Sequence, residues 1–528
     1  MPIFDTTPSG GETSGVSSFN GRTGAVMPQD GDYTAAQVNA RPDNWMPTAG
    51  DGVNVTGETV SVRVSQEADN ATGILNGAIY TSIPRPSAVY PLVEVKTIPA
   101  TPSIQVTATK GELTVQGTTD ENGIAEINVT ALGVWTFTAT ISGEHASADL
   151  AVNTSQLYAL NLSIGNILGV SWDKTNPSTQ LTRLTPTTDP NGFVTIAITS
   201  EPQPAVGAGA GSSPFDNYMP WSGMEEYNII DGLVSYKKGD PGFSRTEHDT
   251  MVFLPKFYYR VIDTETIRYF YVADKQITGF EIHPGSNTYV GRYNTISGYY
   301  SKSGVAPLVR VSRASVRTSS RAKGTGWDGY DYMTWCAVWL LYLVEFADWN
   351  SQSVIGDGIT SANAAQNNGA TDSMLYHTGR ASGTSNLSAV QFRWIENPFG
   401  NVFDWIDGVN FNEHFAYLCT DPANYDDDTE KNYTNTGVAI PVDGFISGAG
   451  LSSTFPWAFL PSADGGSAST YIPDYTNSDN NWSALAVGGS WSRGWQAGFF
   501  CFVANFVATD ENQGIGARLL FRSQEVTV

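Results

Sequence analysis

The stretch "GGSWSRGWQAGFFCFVANFVATDENQGIGARLLFRS", residues Gly488–Ser523, decides how the C-terminal part of this chain is interpreted. Glycines and small polar residues occur near both of its ends, as is typical of turns. Five aromatic residues lie between Trp495 and Phe506. Rings at this density belong either to a protein core or to a surface that binds another molecule.

The spacing of these residues predicts a strand with two different sides, because successive side chains of a strand point in opposite directions. Two sets follow, namely Phe499, Cys501, Val503 and Asn505 on one side and Phe500, Phe502, Ala504 and Phe506 on the other. If the first set faces the core, the second exposes several rings. The alternative is a strand buried on both sides.

The composition describes a long, acidic chain that is rich in β-structure. Its 528 residues suffice for several domains. Charged residues make up only 15%, while there are 53 glycines and 27 prolines, as in turn-rich β proteins. The net charge of −24 repels phosphate backbones and anionic lipids. We therefore expect no nucleic-acid partner and no membrane insertion.

The sequence also indicates where the protein is made. Its N-terminus has neither the basic nor the apolar part of a secretory signal, so we expect synthesis in a cytoplasm without a signal peptide. The apolar run Met333–Val344 is too short to span a bilayer and predicts a buried helix. Three widely spaced cysteines argue against a disulfide framework and against a CxxC metal site.

Shifts in composition predict four regions. Residues 1–45 are polar and turn-rich, and residues 46–87 alternate as a small β module. Residues 88–155 contain several short alternating segments separated by turns, which predicts a β-sandwich. Residues 156–528 are dense in aromatic residues and predict one large α+β domain with long loops.

An arginine-rich segment precedes the apolar run. Spacings of three and four residues predict that its arginines share one face of a helix, and these are Arg310, Arg313, Arg317 and Arg321. Such a face could hold a phosphate or an acidic glycan. The interpretation we favour is that it balances the chain's own carboxylates.

Short motifs connect these regions with a protein family. "SFNGRTGAVMPQDGDYT", which begins at Ser18, resembles an element found repeatedly in bacteriophage tail and fibre proteins. The sandwich at 88–155 resembles the immunoglobulin-like spacers of surface and tail proteins. "ENPFGNVFDWIDG" (396–408), "GGSW" (488–491) and "IGARLLFR" (515–522) resemble the formylglycine-generating-enzyme branch of the C-type lectin fold. The same three pieces are similar to the variable proteins of diversity-generating retroelements, which are phage tail adhesins.

The resemblance implies a fold and a binding site. The fold would be multidomain, with small β modules and an immunoglobulin-like β-sandwich followed by a large α+β C-type lectin fold domain. Glycines 488, 489, 494 and 498 and the "IGARL" strand would be framework, and the positions between them would vary. Aromatic residues and arginine dominate binding hot spots. The expected receptor-binding residues are Ser492, Arg493, Trp495, Gln496, Phe500, Phe502, Phe506 and Ala508.

Enzymatic alternatives fit the sequence less well. In the resemblance, the copper-binding cysteine pair of the formylglycine-generating enzymes falls on Arg493 and Gly498, neither of which can be a thiolate ligand. We therefore predict no catalytic residue, no metal and no cofactor. The acidic loop 420–435 leaves calcium binding open, although it lacks the spacing of a calcium loop.

The expected function is that of a phage tail fibre or tail-tip adhesin that binds a host cell-surface receptor, either glycan or protein. The N-terminal segment would attach it to tail or baseplate proteins in the virion, and the family resemblance implies a homotrimer. Two alternatives stay open: a structural tail or baseplate component without receptor contact, and an enzyme that degrades capsular polysaccharide.

Overall fold

The computed structural model describes residues 91–523 except 99, 142–143, 155–156, 164, 194 and 278, together with six short strands upstream. The chain divides into two compact units, Met1–Ser163 and Ile164–Val528. Both consist mainly of β-sheet, which confirms the prediction of a multidomain, β-rich protein. Apart from those six strands, the predicted segment 1–45 and β module 46–87 lie outside the described residues.

Among its described residues, the first unit contains thirteen strands. Their bounds are β1 (Ser18–Phe19), β2 (Arg22–Thr23), β3 (Val53–Thr56), β4 (Thr59–Val62), β5 (Thr72–Leu75), β6 (Ala78–Thr81), β7 (Leu92–Ile98), β8 (Gln105–Lys110), β9 (Leu113–Thr118), β10 (Ile124–Asn128), β11 (Gly133–Ile141), β12 (Glu144–Val152) and β13 (Leu157–Ser163). The first six form three hairpins. The rest form sheets of order β10-β7-β13 and β12-β11-β8-β9.

In the sheets formed by β7–β13, alternate side chains face the core. Along β11, Trp135, Phe137 and Ile141 are buried, as are Val93 and Val95 of β7. The last strand, β13, pairs in parallel with β7. Residues 157–163 therefore belong with this unit, whereas the sequence assigned them to the final domain. The local pattern could not reveal this, because the strand's partner lies more than fifty residues earlier in the chain.

The second unit contains three α-helices and twenty-four strands among its described residues. They begin with β14 (Ile167–Asp173), β15 (Thr182–Arg183), β16 (Ala205–Val206), β17 (Glu226–Ile230), β18 (Leu233–Lys237), β19 (Asp249–Leu254), β20 (Tyr258–Asp263), β21 (Ile267–Ala273), β22 (Glu281–Ile282), β23 (Thr288–Gly291), α1 (Arg313–Arg321), β24 (Trp327–Gly329), α2 (Tyr332–Phe346) and α3 (Ser351–Ile355). They continue with β25 (Gly379–Arg380), β26 (Val390–Phe392), β27 (Ile395–Glu396), β28 (Phe403–Asn412), β29 (Phe415–Leu418), β30 (Thr434–Ala439), β31 (Asp443–Gly450), β32 (Leu460–Asp464), β33 (Tyr475–Ser478), β34 (Ser483–Val487), β35 (Phe502–Phe506), β36 (Ile515–Gly516) and β37 (Leu519–Phe521).

Four sheets organise this unit. The largest has the order β30-β29-β28-β34-β35-β33-β31-β32, with β36 paired to β28. A six-stranded sheet has the order β18-β17-β19-β23-β37-β24, so the closing strand β37 lies between two strands from the middle of the chain. The remaining sheets have the orders β15-β14-β21-β20-β22 and β16-β25-β26-β27.

Helix α2 confirms the prediction made for the apolar run. Asp331 caps its N-terminus by accepting the amide N–H of Thr334 at 2.9 Å, and the helix ends where Ala347 adopts a left-handed conformation. All fifteen of its residues are buried. A helix that is apolar on every side belongs inside a protein. In the part of the chain that the structure describes, no helix is long and apolar enough to cross a membrane.

A buried arginine ties the sheets together. Arg518, just before β37, donates through Nε to Asp404 at 2.9 Å. Its two terminal nitrogens donate to the carbonyls of Gly291, Arg292, Glu396 and Asn397 at 2.8–3.2 Å. All five of its N–H donors therefore have acceptors, although the side chain is fully buried.

We expect Arg518→Met to lower the free energy of unfolding of the second unit by about 3–5 kcal/mol, because it leaves a buried carboxylate and four carbonyls without their hydrogen-bond donor. Urea unfolding followed by tryptophan fluorescence measures this loss. Lys237→Met removes an ion pair with Glu225 in which both side chains are more than a third exposed, and it should change stability by less than about 0.5 kcal/mol. Equal effects of the two substitutions would contradict the role given to Arg518.

Candidate functional site

The segment after β34 leaves the largest sheet through a close contact between backbones. Gly489 has a φ of +81°, and a Cβ on it would lie 2.5 Å from the Cβ of Ala497. Only glycine allows this approach. Residues 490–497 therefore form a loop closed at its base, and a single turn of 3₁₀-helix, Gly494–Gln496, lies near its end.

Hydrogen bonds hold this loop to the rest of the unit. The Gly494 N–H donates to the Thr360 carbonyl at 2.9 Å, and the side-chain amide of Gln352 donates to the Gly494 carbonyl at 3.2 Å. The Trp491 N–H donates to the Asn401 carbonyl at 2.9 Å. The Trp491 carbonyl in turn accepts the N–H of residue 362 at 2.8 Å. The backbone that carries Trp495 is thus fixed, while its indole is 69% exposed.

Two further hydrogen bonds fix the chain as it returns to the core. The Ser351 hydroxyl accepts the Phe499 N–H at 3.0 Å, and the Asp474 carboxyl accepts the Phe500 N–H at 2.7 Å. Asp474 is buried, and that burial raises the pKa of its carboxyl well above the ordinary value. This carboxyl therefore keeps its proton to a higher pH than an exposed aspartate does.

An open cleft of about 330 Å³ lies beside the loop. Arg493 reaches over it with its Cζ 5.4 Å from the centre of the Phe403 ring. The Phe506 ring meets Phe403 edge to face at 6.1 Å. The full lining is Phe403, Ser490, Trp491, Ser492, Arg493, Gln496, Phe506, Asn512, Gln513 and Gly514.

The structure separates the expected receptor-binding residues into two groups. The cleft brings together Ser492, Arg493, Gln496 and Phe506, and Trp495 stands exposed on the same loop. Phe500, Phe502 and Ala508 are instead buried. The prediction that these three side chains reach the surface is wrong.

Helix α2 and its neighbours explain the burial of the two rings. Phe500 lies 4.7 Å from Trp349 and 5.2 Å from Phe459 between ring centres. Phe502 lies 6.1 Å from Trp335. Strand β35 moreover begins only at Phe502, so the alternation assumed from residue 499 onwards does not apply. The rings face a second layer, which is the alternative that the sequence left open.

Ala508 is buried in a separate core beneath the cleft. That core contains Phe403, Trp405, Cys501 and Val503. The Ala508 carbonyl also accepts the backbone N–H of Arg313 at 3.1 Å. Its methyl group therefore packs inward and fixes the start of the loop 507–514.

Sequence reasoning missed part of the cleft. Asn512 and Gln513 belong to the run "ATDENQG" between β35 and β36, in which only Ala508 was among the expected receptor-binding residues. The available signal was the pair of consecutive carboxamide side chains, Asn512 and Gln513, directly before Gly514. Phe403 gave no such signal, because it belongs to a motif interpreted as structural.

The arginine-rich segment pairs with the chain's own carboxylates, as predicted. Arg313 donates to Asp427 at 2.7 Å, and Arg317 donates to Asp407 at 2.9 Å. Arg321 pairs with Asp328 at 3.1 Å. Arg310 does not share this face, because Ser312 caps the helix and α1 begins at Arg313. Arg310 instead donates to Gln513 at the cleft, at 3.3 Å.

The acidic loop 420–435 uses carboxylates inside the fold. Asp427 forms ion pairs with Arg313 and Arg317, and Asp421 caps the turn Pro422–Asn424. Within residues 91–523, omitting the gaps given above, no three His, Cys, Asp or Glu side chains are grouped to hold a metal ion. The three cysteines are buried and unbridged.

Comparisons with known proteins give no family. No protein-family model matches the chain, and no curated protein sequence matches it. A solved structure described as "The Bacillus anthracis TIE protein" shares 9% identity over 38% of this chain, with a TM-score of 0.14. The chain spans 45% of that protein's length. So low a TM-score carries no argument.

The buried carboxyl of Asp474 predicts a pH dependence of stability. Its raised pKa means that the folded chain binds this proton more tightly than the unfolded chain does. Its contribution to stability is therefore complete below about pH 4 and is lost as the pH rises through the folded-state pKa, by at most about 1.4 kcal/mol per pH unit. Asp474→Asn stays neutral and should gain stability relative to the wild type as the pH rises.

Chemical unfolding at a series of pH values between 4 and 8 measures this effect. Asp464→Asn, on an exposed carboxylate of β32, is the matched control and should follow the wild type across the series. Parallel stability curves for Asp474→Asn and the wild type would refute a proton held at Asp474.

Proposed function

We propose that this chain is a bacteriophage tail receptor-binding protein whose C-terminal lectin-type domain binds the surface of the host cell. The observation that carries the proposal is Trp495, a tryptophan 69% exposed on a backbone held by hydrogen bonds. An exposed ring on a fixed scaffold loses little conformational entropy on binding, so more of its contact energy becomes affinity. Tryptophan is also among the residues that dominate binding hot spots.

The sequence resemblance supports the other parts of the proposal. The segment 1–45 would attach the protein to the tail or baseplate, and the sandwich at 88–155 would be an immunoglobulin-like spacer. The second unit would be a C-type lectin fold of the formylglycine-generating-enzyme branch. This fold assignment is supported by the hydrogen bond between Arg518 of the "IGARL" motif and Asp404 of the "NVFDW" motif. The protein would lie in the virion tail as a homotrimer, whose several sites add up to firm adhesion.

The chemistry of the cleft favours binding over catalysis. Its lining offers aromatic surface, amides, hydroxyls and one guanidinium. Catalysis by a serine requires a base within hydrogen-bond reach of the hydroxyl. For Ser490 and Ser492, the described part of the chain contains no such histidine or carboxylate partner. The loop's exposed residues would be the positions that vary among related phages.

We expect Trp495→Ala to weaken binding of the purified full chain to its host bacterium by about tenfold or more, because a hot-spot tryptophan contributes about 2 kcal/mol or more. Fluorescently labelled protein is titrated onto a panel of bacterial strains, and the strain that binds it best is used for the comparison. Leu233→Ala is the matched control, since Leu233 is also 69% exposed but lies on the edge strand β18.

Four outcomes distinguish the alternatives. Loss of binding with Trp495→Ala alone supports the adhesin. Equal binding by both variants and the wild type contradicts the site, and binding to no strain favours a structural tail component. Loss of capsule staining after incubation with the protein would instead favour a polysaccharide-degrading enzyme.

A further inference from the structure

The guanidinium of Arg493 has donors without acceptors. Every other arginine in the described part of the second unit has a side-chain hydrogen bond or an ion pair. Among the described residues Arg493 makes no side-chain hydrogen bond or ion pair, and its Cζ lies 5.4 Å from the centre of the Phe403 ring, although the residue is half-buried at the mouth of the cleft. Its five N–H groups are therefore free to bind a ligand.

Two carboxamides add further donors. The Asn512 side-chain oxygen accepts the Gly514 N–H at 2.8 Å, and the Gln513 oxygen accepts from Arg310 at 3.3 Å. A backbone N–H and a guanidinium can only donate, so these bonds fix which end of each amide is the oxygen. The NH₂ ends are left over. The cleft consequently offers mainly donors.

The lining of the cleft carries a charge of the opposite sign to the net charge of the chain. The net charge is −24, yet none of the residues found to line the cleft is a carboxylate. Asp510, in the loop beside it, accepts the Val507 N–H at 3.1 Å, and Glu511 is exposed outside the lining. Arg310 brings a second guanidinium to the rim through Gln513. The charged group within the lining is thus a cation, which attracts anions.

The walls of the cleft suit a ring that is both apolar and hydroxylated. The partly exposed Phe506 ring forms one wall and stands on Phe403. The hydroxyls of Ser490 and Ser492 and the amide of Gln496 line the rest. A few polar groups around an aromatic wall, at a volume near 330 Å³, match a site for a small ligand.

From these observations we infer that the cleft binds a sugar that carries an oxyanion, either a carboxylate or a phosphate. The oxyanion accepts the paired N–H groups of Arg493, and the sugar ring packs against Phe506 with its hydroxyls on Asn512 and Gln513. A guanidinium recognises both kinds of oxyanion through two parallel hydrogen bonds. This inference rests on the proposed function, because it names the chemistry of the receptor.

Titration of the full chain with three small sugars tests the inference. The probes are glucuronate, glucose 6-phosphate and glucose, and binding is followed by saturation-transfer NMR and by indole fluorescence. We expect an anionic sugar to bind at least about tenfold more tightly than glucose, and Arg493→Gln to remove that preference. Arg493→Lys keeps the charge without the planar fork, and it should lose part of the preference.

Arg260→Gln is the matched control. Arg260 is also half-buried, with its Cζ 5.5 Å from the Phe193 ring, and it lies on β20. This variant should bind like the wild type. Preference for glucuronate identifies a carboxylate and preference for glucose 6-phosphate identifies a phosphate, and either supports the inference.

The two proposals fail in different ways. If no anionic sugar binds more tightly than glucose, or if Arg493→Gln keeps the preference, the inference is overturned. Cell binding that depends on Trp495 would still support the adhesin in that case. Conversely, anionic sugars bound through Arg493 by a protein that attaches to no bacterium would overturn the adhesin and leave the sugar site standing.

Discussion

The pairing of Arg518 with Asp404 is the constraint on which the second unit depends. It lies where the closing strand enters the six-stranded sheet, and it satisfies carbonyls from two distant segments of the chain. A buried charge is tolerated only when it is paired and its hydrogen bonds are complete. Because the acceptors come from residues 291–292, 396–397 and 404, the bonds of Arg518 are complete only when all three segments are in place.

Arg493 shows the same side chain under the opposite condition. Arg518 is buried and all of its donors are used, whereas Arg493 lies at an open cleft and has only a ring beneath it. Both are held by rigid surroundings, one by sheets and the other by a glycine-closed loop. The first arrangement contributes to the stability of the fold, and the second leaves hydrogen-bonding capacity for another molecule.

The local sequence pattern predicted individual secondary-structure elements well, but it predicted poorly how these elements pack on one another. The length of the apolar run identified α2 as a buried helix, and the excess of carboxylates predicted that Arg313 and Arg317 pair with carboxylates of the chain itself. The same reasoning wrongly predicted that Phe500 and Phe502 are exposed, because alternation shows which side chains share a face but not what covers that face. The covering layer comes from α2 and from residues around Phe459, which are far away in the chain. Asn512 and Gln513 were missed for the same reason, since only the fold brings their loop opposite Arg493.

The hydrogen bonds that hold the Trp495 loop have a consequence for evolution. On the loop's side, every one of them is made by a main-chain N–H or carbonyl of Trp491 or Gly494. Replacing the exposed side chains of Ser492 and Trp495, or the half-buried ones of Arg493 and Gln496, leaves these bonds intact. Substitutions at exposed positions usually change folding free energy by no more than about 0.5 kcal/mol. The fold thus uses main-chain atoms of this loop, so its side chains can change in evolution without first regaining a stable protein.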